Sequence, residues 1–314
     1  MASHSRVVSD LAELRSELHG RGSAHRALLQ LSPARPVIDI AFDWAVVLAS
    51  VGSVAWFSWW MAPLAVCLIA NRQRALGNIL HDAGHRNLWR DRMRNDLLAR
   101  LLVAPLLFNS LTRYREAHFR HHMSLGDARG DPDLLPIPNP LPRHWLANFA
   151  RQASAWPAVW GSISGHLAAR GVRHSSRIFI LGWWGLALVV LTAATDADFA
   201  AIFVGLWLVA RGTVFHLITM FREMCDHHGL SPGGVFSFTR DMPCHGLWRA
   251  FIHPRNNGYH LTHHLLPAVP YYRLPEAHEL FSQMPAYRAR AHQCHSYFGG
   301  DDAVIHDWQA GAAA

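Results

Sequence analysis

Histidine is the residue type whose placement points most directly to chemistry, with 23 copies in 314 residues and three regularly spaced groups. His81 and His85 in HDAGH lie four apart. His118, His121 and His122 in HFRHH, and His260, His263 and His264 in HLTHH, have spacings of three and four. On a helix such spacings bring the imidazoles to one face. Neutral imidazole is the commonest nitrogen ligand for iron, copper and zinc. Eight such rings exceed the three or four that one zinc requires, so they can supply more than one metal. Glu223 and His227 are also four apart and add a ninth histidine together with a carboxylate. Asp82, Asp131, Asp133 and Asp226 neighbour these groups and suit a supporting role, since ligating imidazoles donate their other N–H to a carboxylate or carbonyl. Arg120, Arg129 and Arg222 read as partners of such acids or of lipid headgroups. His144, His166, His174, His216 and His253 fit none of the groups and read as structural.

The elements that must position these residues are apolar helices. Val37 to Ala70 is apolar apart from Ser50, Gly52, Ser53 and Pro63, which predicts a helical hairpin with spans at about 37–56 and 57–80. Arg177 to about Met220 divides at Thr195-Asp196-Ala197-Asp198, predicting spans at about 178–195 and 199–220. A helix running from Met61 to His81 rises about 30 Å, the thickness of a bilayer's hydrocarbon core, and would deliver His81 just beyond the inner face. The fourth span, if it stays helical, carries Glu223 and His227 beyond the same face. Arginines crowd residues 1–35, 72–129 and 143–177, whereas the two hairpin turns have none, so the positive-inside rule puts both termini and the long loops in the cytoplasm. Leu97–Leu111, interrupted by Arg100 and Pro105, reads as interfacial or buried, and the Pro-rich run Asp131–Pro142 as an ordered loop. The expected architecture is all-α: a four-transmembrane-helix integral membrane protein with a cytoplasmic helical cap holding the metal site. A cytoplasmic N-terminal segment, 1–35, precedes a single membrane domain, 36–314.

Composition narrows the classes further. The net charge is +7 and all 29 basic residues are Arg, which excludes Schiff-base and other lysine chemistry. The arginines flank apolar spans and form no basic tract, so nucleic acid is not an expected partner, whereas membrane lipids are. Thirteen Trp, 16% charged residues and a mean hydropathy of +0.05 fit a membrane protein with interfacial aromatic anchors. Cys67, Cys225, Cys244 and Cys294 form no CxxC pair and read as buried thiols. Residues 1–35 are polar, with an amphipathic stretch around Leu11–Leu18 and no signal-peptide core, so this segment is expected to stay uncleaved.

HDAGH, then AHFRHH followed by GDARGDPD, then NGYHLTHHLLPAVP, resembles the membrane fatty acid desaturase and hydroxylase superfamily over about residues 37–280. The resemblance implies a four-span, mushroom-shaped protein in which two iron ions are held by His81, His85, His118, His121, His122, His260, His263 and His264. A further histidine after the fourth span completes the set, and His227 matches it better than His228. It also implies molecular oxygen as co-substrate and C–H abstraction from a fatty acyl or other lipid-like chain, giving desaturation or, on the same scaffold, hydroxylation. The first box is HxxxH, shorter than the HxxxxH of acyl-CoA desaturases, and Glu223 stands where those enzymes have a water-holding Asn; it becomes a candidate for tuning the metal site. The chain has no haem motif, ferredoxin-like cysteine run or Rieske pair, so a separate ferredoxin, rubredoxin or cytochrome with its reductase is the expected electron donor. The expected location is a bacterial inner membrane. A rival from another class is a zinc-dependent membrane hydrolase using His81, Asp82 and His85 as a degenerate HExxH, which leaves both HxxHH groups unexplained.

Overall fold

A computed structural model describes residues 2–136 and 142–309. Helices α1 (Ala2–His19), α2 (Gly22–Leu28), α3 (Ala34–Gly52) and α4 (Ala62–His85) come first. They are followed by α5 (Arg92–Leu102), α6 (Leu111–Met123), α7 (Trp145–Ala153) and α8 (Trp156–Ser164). Next are α9 (His174–Ala194), α10 (Ala197–Gly212), α11 (Val214–His227) and α12 (Val235–Phe238). The chain ends with α13 (Gly246–Ile252), α14 (His260–Leu265), α15 (Leu274–Phe281) and α16 (Pro285–Arg290). Strand among the described residues is limited to β1 (Arg240–Asp241) and β2 (His292–Gln293), which pair in parallel.

Helix ends fall where the chain carries stop signals. The Ser-Gly-Ser interruption becomes a π turn, Ser53–Phe57, and Ser58 then accepts a hydrogen bond from Trp60 N (3.3 Å) before α4 starts with Pro63 in its first turn. In the acidic turn Asp196 caps α10 by accepting from Phe199 N at 2.7 Å. Three stretches are long and apolar enough to cross a membrane: Ala34–Phe57, His174–Ala194 and Ala197–His227. They match the first, third and fourth expected spans, the last one passing Thr213 from α10 into α11. The second, α4, has 24 residues but carries Asn71, Arg72, Gln73 and Arg74 at mid-length. The Pro-rich run is only partly described, because residues 137–141 lie outside the described residues.

The chain divides into two compact units, one formed from 1–31, 115–152 and 220–314, the other from 32–114 and 153–219. In the first, α1 presents Val7, Leu14 and Leu18 at helical spacing to a core with Leu261, Leu265, Phe281 and Tyr287. Burial of each such aliphatic side chain stabilises the unit by about 1.5–3 kcal/mol. Asp10 of α1 accepts from Val235 N at 2.7 Å and pairs with Arg290 at 2.5 Å, so the amphipathic N-terminal stretch is tied in by charge as well. The fully buried carboxylate of Asp241 accepts from Thr262 N (3.0 Å), Thr262 Oγ1 (2.5 Å), Tyr287 Oη (2.6 Å) and His278 Nδ1 (3.0 Å). Hydrogen bonds to a charged acceptor contribute about 1.5–3 kcal/mol each. Two of the four hold the backbone and side chain of Thr262, in the middle of α14, and thereby set the position of the third histidine group.

In the second unit α3, α4 and α10 pack together. The polar centre of α4 finds partners there: Arg72 pairs with buried Asp43 of α3 at 2.8 Å, and Gln73 Nε2 donates to Trp207 O of α10 at 2.9 Å. Buried Arg211 donates to Leu107 O (2.8 Å) and Ile163 O (3.1 Å). By contrast α9 leaves Ile178, Leu181, Leu186, Val189 and Val190 exposed, an apolar surface of the kind that faces lipid. The stretch 97–111 divides in two: Leu97 and Leu101 are exposed on α5, and Val103 to Leu107 are buried.

Candidate metal centre

Six box histidines and His227 belong to the first unit, delivered by three helices. The amphipathic periodicity of α6 supplies His118, His121 and His122; α14 supplies His260, His263 and His264; His227 is the last residue of α11. His121, His227, His260 and His264 are all buried, and one ring nitrogen from each lies within 4.8 Å of the others. A metal bound at about 2.1 Å to each nitrogen needs separations of about 3–4 Å, and His227 Nε2 and His260 Nε2 already stand at 3.0 Å.

The hydrogen bonds decide which nitrogens are free to ligate. His121 Nδ1 donates to Asp131 Oδ1 at 2.7 Å, and His227 Nδ1 donates to the carbonyl of Phe238 at 2.8 Å. His260 Nδ1 lies 3.4 Å from Asp226 Oδ2 and faces Arg222 Nη2, a donor, at 3.4 Å. With the proton on Nδ1, the His121 and His227 rings each turn Nε2 inward. His227 Nε2 and His260 Nε2 are 3.0 Å apart, close enough to share one cation. The Nε2 of His264 is buried with no hydrogen-bond partner among the described residues. Burial and the neighbouring rings hold its pKa well below the ordinary value, keeping it neutral. Three inward Nε2 atoms and the orphaned Nε2 of His264 make a four-nitrogen donor set, so the residues fit a metal site.

A second set lies beside it. His122 Nε2 is 3.0 Å from His118 Nε2 and 3.1 Å from His263 Nε2, and the His122 ring stacks on His264 at 4.1 Å. Seven imidazoles exceed the coordination number of a single zinc. His81 and His85 form a pair in the second unit, ring centroids 5.1 Å apart on the last turn of α4, with His81 Nδ1 3.4 Å from Asp82. Arg86 ends that helix in the left-handed conformation.

The supporting acids differ in role. Asp131 receives His121, Gly126 N (2.9 Å) and Asp133 N (3.0 Å). Burial alone would raise its pKa, but the His121 contact and the two N–H donors outweigh it and hold the carboxyl below its ordinary value. At His121 burial works against protonation, but the same bond together with the charges of Asp133, Asp131 and Glu223 outweighs it and raises the pKa. Gly126 is required for this geometry: its φ is +72°, and a Cβ there would meet Phe238 at 2.9 Å. Asp226 contacts Arg222 and His260, and lies 3.8 Å from His253 Nε2, whose other nitrogen meets Tyr297 Oη at 2.8 Å. His253, fitting no box in the sequence, therefore belongs to the surroundings of the site. Asp133 is exposed, Glu223 pairs with Arg222, and His228 is held by Asn148 at 2.7 Å, outside the set of four. Asp241 and the Phe238 carbonyl, which fix α14 and His227, went unpredicted, because neither has a spacing relation to a box.

Replacing Asp131 with Ala frees His121 to take the other tautomer, and metal retention against a graded chelator is expected to weaken by about 10–100-fold. Unchanged retention would mean that the His121–Asp131 bond does not orient a ligand.

Comparison with known proteins agrees with this geometry. A family model described as fatty acid desaturase matches residues 24–295. Dihydrorhizobitoxine desaturase of Bradyrhizobium elkanii is 30% identical over 82% of this chain and 80% of its own length. Chloroplastic omega-3 fatty acid desaturase of Glycine max is 25% identical over 79% of this chain and 60% of its own. The endoplasmic reticulum omega-3 enzyme of Nicotiana tabacum is 23% identical over 70% and 64%. The matched segment contains all three histidine boxes and His227, and the chain belongs to the fatty acid desaturase family, oxidoreductases of lipid metabolism with membrane helices.

Proposed function

We propose that the chain is an oxygen-dependent desaturase of a fatty acyl or other lipid-like chain, working at two irons held by nine histidines. The observation that carries this reading is the convergence of the Nε2 atoms of His121, His227 and His260 beside the orphaned Nε2 of His264. These four would hold one metal. His118, His122 and His263 form a nitrogen set that needs further donors, and His81 and His85 would complete it. Two bound irons would supply the one-electron chemistry by which oxygen removes hydrogen from a methylene. The protein's own residues orient His121 through Asp131 and His227 through the Phe238 carbonyl, and burial keeps His264 neutral. The relatives' names differ in substrate, one naming dihydrorhizobitoxine and two omega-3 fatty acids, and share desaturation. Electrons would come from a separate ferredoxin, rubredoxin or cytochrome system.

Replacing His121 or His263 with Ala should remove iron and at least 100-fold of product formation while the chain still inserts. Full turnover in either variant would sink the assignment, and a hydroxylated product from the wild type would move the reading to hydroxylase.

In the proposed topology α4 joins the three apolar stretches as a fourth span, and both termini and the metal site face the cytoplasm of a bacterial inner membrane. The arginine distribution supports it. Cysteines placed at Ser53 and Thr195 should react with an impermeant reagent from outside; labelling only from the cytoplasm would refute the topology.

Glu223 would tune the site, since its partner Arg222 also contacts Asp226, the acid beside His260. Glu223→Gln is expected to shift iron retention or product ratio. If iron content, turnover and products all stay normal, Glu223 is an ion-pair partner and nothing more.

A further inference from the structure

One face of α9 links two cavities in the second unit that the desaturase reading does not use. The first, about 220 Å³, is lined by Arg100, Asn109, Ser110, Thr112, Arg173 and Ser176, together with Phe179 and Ile180. No carboxylate lines it. Among the described residues Arg173 makes no side-chain hydrogen bond or ion pair, and Arg100 makes one contact, to Thr112 Oγ1 at 3.3 Å. Two guanidinium groups facing hydroxyls and an amide without an acid form an anion site, and Arg suits phosphate oxygens.

The second cavity, also about 220 Å³, is almost wholly apolar, lined by Trp44, Leu48, Trp183, Ala187, Leu191 and Phe203 among others. Phe179, Trp183 and Ala187 stand at i, i+4 and i+8, so a single helix face runs from the arginine pocket to the apolar groove over about 12 Å. The indoles at the groove's rim are fixed: Trp183 Nε1 donates to Leu101 O at 2.8 Å, and Trp44 Nε1 to Leu102 O at 3.1 Å. These bonds also satisfy carbonyls at the C-terminal end of α5. On α5 itself Met93, Leu97 and Leu101 are exposed four residues apart, the pattern of a helix lying in a membrane interface, with Arg92, Arg94 and Arg100 beside them.

We propose that this face is a site for an anionic phospholipid, its phosphate between Arg100 and Arg173 and one acyl chain along Phe179, Trp183 and Ala187 into the apolar groove. Charge, hydroxyl donors and apolar groove occur in the order of a lipid's headgroup and tail. The site stands apart from the histidines and does not rest on the desaturase reading.

Native mass spectrometry of the detergent-solubilised full chain, given equal dioleoyl phosphatidylglycerol and dioleoyl phosphatidylcholine, tests it. The wild type should retain one phosphatidylglycerol at least tenfold over phosphatidylcholine. Arg100→Gln with Arg173→Gln should lower that retention about tenfold, and Ala187→Trp, which fills the groove while leaving the charge intact, should lower it as well. Arg15→Gln with Arg26→Gln removes the same charge from exposed positions elsewhere and should retain the lipid; thermal unfolding of each variant identifies any that fails to fold. Equal retention of both lipids, equal loss in the Arg15/Arg26 control, or full retention by folded Arg100/Arg173 and Ala187 variants would overturn the proposal. Displacement of the lipid by millimolar inorganic phosphate in the wild type and Ala187→Trp alike would assign the pocket to a free anion and overturn the lipid.

Discussion

Burying imidazole rings whose Nε2 atoms converge on one another is the constraint around which the first unit is organised. Rings left to themselves would rotate or protonate to relieve a 3.0 Å contact between Nε2 atoms. Here the Nδ1 side of His121 is held by Asp131, and that of His227 by a backbone carbonyl, so rotation would forfeit a buried hydrogen bond. At His264 burial opposes protonation. A bound cation would take the converging Nε2 atoms without breaking either bond. The supporting contacts thus store the orientation that ligation needs, as carboxylate–histidine pairs do in metal sites generally.

The constraint extends outward from the rings to the backbone. His227 depends on the Phe238 carbonyl, and a Cβ at Gly126 would collide with the same Phe238. The Gly126 N–H donates to Asp131, which orients His121. α14 is only six residues long, too short to be stable alone, and is held through Thr262 by the Asp241 carboxylate. Asp241 in turn takes bonds from Tyr287 and His278, so segments far apart in the chain converge on one acid. α1 packs against Leu261 and Leu265 of the same short helix, which gives the N-terminal segment a structural reason for its Val7, Leu14, Leu18 stripe.

The second unit meets a different demand, polar groups within apolar helices. Arg72, Gln73 and Arg211 are each answered by a buried carboxylate or a carbonyl rather than by water. Polar groups inside an apolar layer are costly unless paired in this way. The pairing lets α4 carry a polar centre and still pack against α3 and α10. It also separates the inner face of the unit, where these polar groups find partners, from the outer face of α9, which is bare hydrocarbon.

The amino-acid sequence by itself determined what depends on local periodicity and composition. Spacings of three and four put His118, His121 and His122 on one side of a helix whatever surrounds them, and the apolar runs with their Ser-Gly-Ser and acidic interruptions located the helical hairpins to within a few residues. The box acids Asp131 and Asp226 were legible because they neighbour the boxes. Only the tertiary structure decided which nitrogen of each ring is free and which of His227 and His228 joins the four. It also decided that Asp241, the Phe238 carbonyl and His253 belong to the surroundings. The physical reason is that a hydrogen bond needs a partner in space rather than in register. His227 finds its acceptor eleven residues on, and Thr262 its acid twenty-one residues back. Those separations follow from packing of the whole unit, which no helical period encodes.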